Sequence, residues 1–404
     1  MNVAKLILFA LTLSSTAASA QQLRFDDVVR NLRNPDPKTR LAAVRLLRDA
    51  RYPEAITPMA SLVLDPMDDI QLETIAAELA FYLDQDVRTK KMIGFVVEKR
   101  ASGIAIAAFD QGPLAVWPHA VPAELVTALL QAVDDETPKV RLEAIYAFGV
   151  IAKAPLTPEQ HERLVKALDH YDPAIRSAAA RVIARQRFPG TGDTLIKAVN
   201  DSNAEVRFAS MRALGAIREE RAVAALSEQL AFYRKGEGAW SALDALAHIA
   251  SPGSVPLFKE RLQDKDPYLR RAAIEGLGRT GDTSANETIE RLVTADESPM
   301  VRLASAFALQ KLGGNYAARI VDAMANDKVV QQGQEYLIEL GPPVASVIAP
   351  RIQEPDAGIR EAVADVLGVI GDASVLPALE TATKDPDAAV AAAAKRAIAR
   401  LRAA

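Results

Sequence analysis

The sequence predicts an all-α fold, an α-solenoid in which helical hairpins stack into a superhelix. Three observations predict it: one motif recurs about every 30 residues, alanine is abundant, and Gly and Pro recur at regular intervals instead of clustering in linkers. Aromatic residues make up only 5% of the 404 residues, although half of the residues are apolar. Small alanine side chains favour helices and let their axes approach closely, so many short, tightly packed helices are expected.

The first element is a signal peptide at residues 1–20. Lys5 gives a short positive region, Leu6 to Leu13 form an apolar run, and Ala18-Ser19-Ala20 is a small-x-small cleavage site. We expect cleavage after Ala20, which places the mature protein in a periplasm or outside the cell. An uncleaved N-terminal anchor is the alternative, but the apolar run is shorter than the roughly 20 residues that span a bilayer. No membrane insertion is expected after cleavage.

The repeats follow from residue 21 to residue 404. The clearest copy is DPYLRRAAIEGLGRTGD, Asp266 to Asp282, in which an Asp can cap a helix, Pro can occupy its first position and Gly281 can end it. We call the Arg of this motif the anchor. It occurs at Arg40, Arg141, Arg176, Arg207, Arg270, Arg302 and Arg360, with degenerate copies at Gln71, Trp240, Val330 and Ala391. A second amphipathic stretch lies between motifs, so each unit is a helical hairpin and about 11–12 units are predicted.

This pattern resembles the HEAT repeats of the phycobilisome-lyase type, in an exported bacterial form. The resemblance is carried by the D-P-x-V-R and L-G-x-x-G-D patterns and covers nearly all of residues 23–404. It implies an armadillo-like superhelix. It implies little about activity, because such repeats serve scaffolds, inhibitors, lyases and hydroxylases alike.

The anchor arginines admit two interpretations. They could form a row of anion ligands, or each could pair with the acidic cap of an adjacent repeat and hold the stack together. The second is favoured because the arginines recur in register with the capping Asp.

The spacing breaks between Gln71 and Arg141. This interval holds a divergent helical unit, Asp84 to Ala101, and then an irregular apolar insertion at 102–122 that contains several Gly and Pro residues. Long apolar loops in repeat arrays are uncommon. Either the insertion covers a repeat junction and seals the core, or Phe109, Trp117 and His119 contact a partner.

The second helix of each unit is expected to line the concave face of the solenoid. We call the residues five positions after each anchor the inner column: Arg45, Ala76, Tyr146, Arg181, Arg212, Ala245, Glu275, Phe307, Glu335, Asp365 and Arg396. The column is basic from Arg45 to Arg212 and acidic from Glu275 to Asp365. It predicts either a polarised groove for a protein segment or ordinary solvated helix faces.

The composition argues against several chemistries. The formal charge of −4 favours no nucleic acid, and the absence of cysteine removes thiolate catalysis and thiolate metal sites. Deoxyhypusine hydroxylases, which are also HEAT-repeat proteins, bind di-iron through several His-Glu pairs, whereas this chain has only His161-Glu162. We therefore expect no catalytic residue, no metal and no cofactor.

Two functions remain. The favoured one is a non-enzymatic interaction scaffold that binds a protein or peptide along its concave face. The alternative is a HEAT-repeat enzyme or enzyme subunit, either a hydroxylase-like oxidoreductase or a lyase.

Overall fold

The computed structural model describes residues 24–83, 103–153 and 155–403. The expected signal peptide and the divergent unit at Asp84 to Ala101 lie outside the described residues. Within them, 23 α-helices form eleven hairpins and one additional helix, α5. The all-α solenoid predicted from the repeat is thus the observed architecture.

Each hairpin has a short first helix and a longer second helix. The first helices are α1 (Phe25–Asn31), α3 (Ile56–Met59), α6 (Ala123–Ala132), α8 (Pro158–Leu168), α10 (Gly192–Ala198), α12 (Val223–Tyr233), α14 (Val255–Arg261), α16 (Asn286–Ala295), α18 (Ala317–Ala323), α20 (Ala345–Ile348) and α22 (Leu376–Ala382). The second helices are α2 (Pro37–Ala50), α4 (Asp68–Tyr82), α7 (Pro138–Ile151), α9 (Pro173–Gln186), α11 (Ala204–Ala216), α13 (Gly236–Ile249), α15 (Pro267–Thr280), α17 (Pro299–Lys311), α19 (Val330–Leu340), α21 (Ala357–Ile370) and α23 (Ala388–Ala403). The extra helix α5 (Ile104–Asp110) lies between the second and third hairpins.

The second helices begin where the motif predicts. The side chains of Asp36, Asp172, Asn203, Asp266 and Asp356 each accept a hydrogen bond from a backbone N–H in the first turn of the helix that follows. Three of these caps precede a Pro at the first helical position, where no N–H is required. Helix starts are therefore set locally, by the sequence of each unit.

The stack shares one hydrophobic core, which runs without interruption from Val28 to Ile398. Successive second helices approach closely at a glycine eight residues after the anchor. A Cβ at Gly278 would lie 2.6 Å from Cα of Ala308, and one at Gly368 would lie 2.5 Å from Cα of Ala397. These glycines therefore allow backbone-to-side-chain contact between neighbouring units, which a larger residue would prevent.

The anchor arginines join one unit to the next. All seven donate through Nη1 to the carbonyl groups five and six residues earlier, in the loop of their own hairpin. Four of them also make two hydrogen bonds to one carboxylate of the following unit. These pairs are Arg40–Asp65, Arg176–Asp201, Arg270–Asp296 and Arg360–Asp385.

The acidic partner is not the one expected from the sequence. In these four pairs the Asp lies two residues before the N-cap, where it also accepts the backbone N–H of the capping residue. Among the contacts of the seven anchor arginines with described residues, that of Arg141 is the one made to a capping residue, Asp172, at 3.1 Å. The loop Asp is the better partner because one carboxylate can then hold both the arginine and the turn that leads into the next helix.

In two units an aromatic residue takes the place of one member of the ion pair. Arg207 donates to the hydroxyl of Tyr233 at 2.6 Å, and Trp240, at an anchor position, donates its indole N–H to Asp266 at 2.6 Å. Both contacts span 26 residues, as the ion pair of Arg270 does. The connection between units is thus retained with different donors and acceptors.

The residue eleven positions after an anchor commonly ends the second helix in the left-handed region. Gly281 and Gly313 occupy this position with φ of 76° and 95°, while Arg51, Arg187 and Arg218 occupy it with φ of 53–54°. Gly371 also follows the last residue of its helix, but its φ is −74° and its backbone is extended. Arginine at this position carries a conformational cost that glycine avoids.

The last helix returns to an early part of the chain. Arg400, in α23, donates to the carbonyl groups of Leu114 and Val116, the latter at 2.9 Å. The superhelix therefore closes on itself, and α23 lies beside the segment that connects the second and third hairpins. None of the helices in the described ranges has both the length and the apolarity needed to cross a membrane.

Candidate functional site: the inner face of the superhelix

The second helices form the inner face. Arg279 of α15 donates to Glu339 of α19 at 2.9 Å, and the hydroxyl of Tyr336 in α19 donates to Glu275 of α15. These helices belong to units two apart in the stack, with α17 between them. Only elements on the concave side of a curved stack come this close, so the inner column lies on the concave side.

The structure separates the inner column into accessible and buried residues. Arg45, Arg181 and Arg212 have side chains that are 55%, 33% and 39% exposed, and Glu335 is exposed. Tyr146, Glu275, Phe307, Asp365, Arg396 and Ala245 are buried, and Ala76 is half-buried. The basic part of the column thus faces the groove, whereas most of the acidic part lies inside the protein.

The expected polarised groove therefore needs correction. Glu275 accepts from Arg279 at 3.0 Å, and Asp365 accepts from Arg396 at 3.2 Å. Buried carboxylates require partners of this kind because they have lost their hydration. Arg279 lies one turn after Glu275 on α15, and Arg396 lies in the unit after Asp365. Tyr336 reaches Glu275 from two units away, and the register along a single helix could not reveal that contact.

A network of charges fixes this curvature. Asp244 of α13 accepts from Arg271 at 2.8 Å, and Arg279 contacts both Glu275 and Glu339. Burial alone would lower the pKa of Arg279, but Glu275 and Glu339 raise it overall. Burial would raise the pKa of Asp244, whereas His248 and Arg271 lower it. The pairs therefore stay ionised and hold α13, α15 and α19 together.

The segment at 102–122 is only partly irregular. Its first part is helix α5, whose Ala105, Ala108 and Phe109 are buried against the second helices. Gly103 and Gly112 flank α5 and led the sequence to be interpreted as a loop, yet they mark the limits of a seven-residue helix. This part of the segment is therefore a helix packed on the second helices.

Phe109, Trp117 and His119 do not form one patch. Phe109 packs on Tyr146 in the groove, with ring centroids 5.2 Å apart. Trp117 and His119 stack on each other, with centroids 5.9 Å apart, next to Tyr82. His119 lines a cleft of about 600 Å³ together with Val121, Val126, Lys153, Leu156 and Arg400.

Two residues of the groove, Asp110 and Arg185, were not predicted from the sequence. Asp110 accepts from Arg181 at 2.8 Å, and Arg185 donates to the carbonyl group of Phe109 at 2.6 Å. Arg185 lies nine positions after the anchor Arg176, on the same helix face as Arg181, and this spacing could have shown it. Asp110 could not be placed because its helix was not predicted.

The described residues also bear on metal binding. Among them, no three His, Asp or Glu side chains are arranged so that they could hold a metal ion. His161 uses Nε2 to contact the carbonyl oxygen of Pro189 at 2.9 Å, so the one His-Glu pair of the sequence supports a loop contact.

The repeated hairpins, the capped second helices and the concave inner face define an α-solenoid of tandem repeats. Models of HEAT repeats match residues 161–232, 235–310 and 255–339, and a further HEAT repeat model matches residues 125–154. The chain belongs to the HEAT-repeat family. A comparison with curated protein sequences finds no significant match.

Solved structures with a similar fold come from several kinds of protein. The complex of CpcE and CpcF of phycocyanin lyase from Nostoc sp. PCC7120 is 18% identical, with a TM-score of 0.37 and coverage of 76% of this chain and 96% of that chain. Kap121p bound to RanGTP is 14% identical, with a TM-score of 0.38 and coverage of 93% and 44%. Human deoxyhypusine hydroxylase is 16% identical, with a TM-score of 0.30 and coverage of 69% and 96%.

Proposed function

We propose that this protein is an exported, non-enzymatic scaffold that binds a segment of another protein along its concave face. The observation that carries the proposal is the accessible row of arginines on the inner face. Arg181 and Arg212 occupy the same register position in successive units and keep part of their surface open to the groove. A repeated, accessible basic position on a concave surface suits an extended or helical protein segment that carries acidic side chains.

The chemistry of the two arginines supports a protein partner. Arg181 donates to the hydroxyl of Tyr146 at 2.7 Å, and Arg212 donates to Ser241 at 3.0 Å. Each arginine also donates to a carboxylate, Arg181 to Asp110 and Arg212 to Glu237. These contacts fix each guanidinium and leave its remaining N–H groups for a ligand. Arginine beside tyrosine is a combination enriched at protein interfaces, because it combines packing area with directed hydrogen bonds.

The proposal is tested by position-specific photocrosslinking in cells that make the full chain. A photoreactive amino acid replaces Arg212 on the inner face, and in a control strain it replaces Glu228, which is exposed on the first helix α12. The expected result is a discrete crosslinked protein from position 212 that is absent from position 228. Equal products from both positions, or none from position 212, would refute binding on the concave face.

Export is tested on the same material. Cleavage after Ala20 gives a mature chain that begins at Gln21, which N-terminal mass analysis identifies directly. Full-length precursor in the cytosolic fraction would contradict it. Metal analysis of the purified protein distinguishes the alternative: stoichiometric iron would favour the hydroxylase-like enzyme over the scaffold.

A further inference from the structure

Helix α5 lies in the groove as a ligand would. It packs on the inner faces of α7 and α9, and its Phe109 contacts Tyr146 and Arg181, both residues of the inner column. Gly149 of α7 provides the space, because a Cβ there would lie 2.9 Å from Cε2 of the Phe109 ring. The concave surface of these two units therefore already accommodates a short helix.

The contacts that hold α5 are those of a recognition site. The guanidinium carbons of Arg181 and Arg185 lie 5.2 and 4.6 Å from the centroid of the Phe109 ring, so both arginines make cation–π contacts with one aromatic residue. Arg181 also donates to Asp110 at 2.8 Å. An aromatic residue followed by an acidic residue thus engages both arginines at once.

Helix α5 brings one paired carboxylate to a site that holds two arginines. Two guanidinium groups face α5, and Asp110 is the carboxylate paired with Arg181. Arg185 donates from Nη1 to Phe109, but its Nε and Nη2 are buried and have no hydrogen-bond partner among the residues that the structure describes. Burial lowers the pKa of Arg185 to about 10. A buried, incompletely bonded guanidinium is costly, and a second carboxylate would relieve that cost.

We infer that the groove between α7 and α9 is a binding site for a short helical protein segment with one aromatic residue and two acidic residues, and that α5 is its built-in occupant. The partner displaces α5 because it offers Arg185 the carboxylate that α5 lacks. This inference rests on the proposed function and assigns the partner class and the site on the concave face.

The test uses two fluorescent synthetic peptides and the purified mature chain. One peptide copies residues 103–113, and the other carries Glu in place of Gln111, which adds a second carboxylate beside Asp110. Binding is measured by fluorescence anisotropy to the parent chain and to the double variant Phe109→Ala/Asp110→Ala, which lacks the ring and the carboxylate by which α5 contacts Arg181 and Arg185. The double variant is expected to bind both peptides at least about tenfold more tightly than the parent.

Two further variants assign the contacts. Adding Arg185→Ala to the double variant should abolish its preference for the peptide with two carboxylates, a preference expected to be about tenfold. Adding Glu228→Ala, on the exposed side of the first helix α12, should leave both affinities unchanged. A double variant that has the circular dichroism spectrum of the parent and binds neither peptide would overturn the inference.

A disulfide lock keeps the test decisive if the double variant does not fold. The chain has no cysteine, and a Cβ at Gly103 would overlap the Glu143 carboxylate, so Gly103→Cys/Glu143→Cys can tie α5 to α7. The reduced form should bind the two-carboxylate peptide and the oxidised form should not. Equal binding by both forms would also overturn the inference. Crosslinking from position 212 does not depend on α5, so it would still support the scaffold if this site failed.

Discussion

Arg270 offers the most direct test of how the units are held together. Its Nε and Nη2 each donate to Asp296 at 2.9 Å, and its Nη1 donates to the carbonyl groups of Asp264 and Lys265 at 2.8 and 3.1 Å. The two side chains are only 10% and 5% exposed. The variant Arg270→Ala removes four hydrogen bonds and leaves a buried carboxylate without its counter-charge.

The expected cost follows from that geometry. Breaking a buried ion pair by removing one partner costs about 3–5 kcal/mol, because the remaining charge stays buried. Asp296 keeps its hydrogen bond from the backbone N–H of Ser298, at 2.8 Å, so the lower end of that range is expected, about 3 kcal/mol. This loss should lower both the melting temperature and the urea concentration at the unfolding midpoint.

The chain supplies a matched control at the next anchor. Arg302 donates to the carbonyl groups of Asp296 and Glu297, and no carboxylate partner is recorded for it among the described residues. Arg302→Ala should therefore cost less, about 1–2 kcal/mol. Both variants are followed by circular dichroism at increasing urea concentration. The ion-pair explanation is wrong if Arg270→Ala costs no more than Arg302→Ala, or if the variant loses partner binding at unchanged stability.

Three other outcomes are expected. Gly278→Ala should lower the free energy of unfolding by about 1–3 kcal/mol, since the new methyl group would overlap the next helix. Gly253→Ala, whose Cβ would lie 3.9 Å from Oγ of Ser251, should change it by about 0.5 kcal/mol or less. A stabilised Gly278→Ala in thermal unfolding would contradict the close approach. Arg187→Gly should raise the free energy of unfolding by about 0.5 kcal/mol because φ is 54° there, while Arg163→Gly, inside α8, should lower it by about 1 kcal/mol; a loss at position 187 in urea unfolding would show that its side chain outweighs the strain. Glu78 is buried, both carboxylate oxygens lack a hydrogen-bond partner within the described ranges, and burial raises its pKa well above 4.5. The folded parent therefore holds a proton that the unfolded chain releases above pH 4.5, so its free energy of unfolding falls as pH rises. Glu78→Met should have a higher free energy of unfolding than the parent at pH 8, and this difference should shrink toward pH 4.5. A difference that does not depend on pH in urea unfolding would exclude ionisation of Glu78 as its cause.

The sequence predicted those parts of the fold that are determined within one unit. The capping of Asp172 and Asp266 and the left-handed Gly281 depend on a few neighbouring residues, and each was recognised from its motif. The inner column was also placed on the correct helices. Periodicity is sufficient for these features because each unit repeats the same local interactions.

The candidate site was less predictable because curvature decides it. Glu275 would be exposed on a helix considered alone. In the stack it is buried, and it accepts a hydrogen bond from Tyr336, which lies two units farther on. Helix α5 was missed because Gly and Pro around it indicate a loop, whereas burial of Ala105 and Phe109 on α7 stabilises a helix too short to form alone. The loop aspartates such as Asp296 recur in the sequence and could have been chosen as partners of the anchors.

The return of Arg400 to residues 113–116 sets this chain apart from an open array of repeats. An open array can gain or lose a unit, since each unit contacts only its neighbours. Here an added or deleted unit would rotate and shift α23 away from the carbonyl groups of Leu114 and Val116. The contact between α23 and residues 113–116 therefore constrains the number of units between these points and fixes the length of the superhelix.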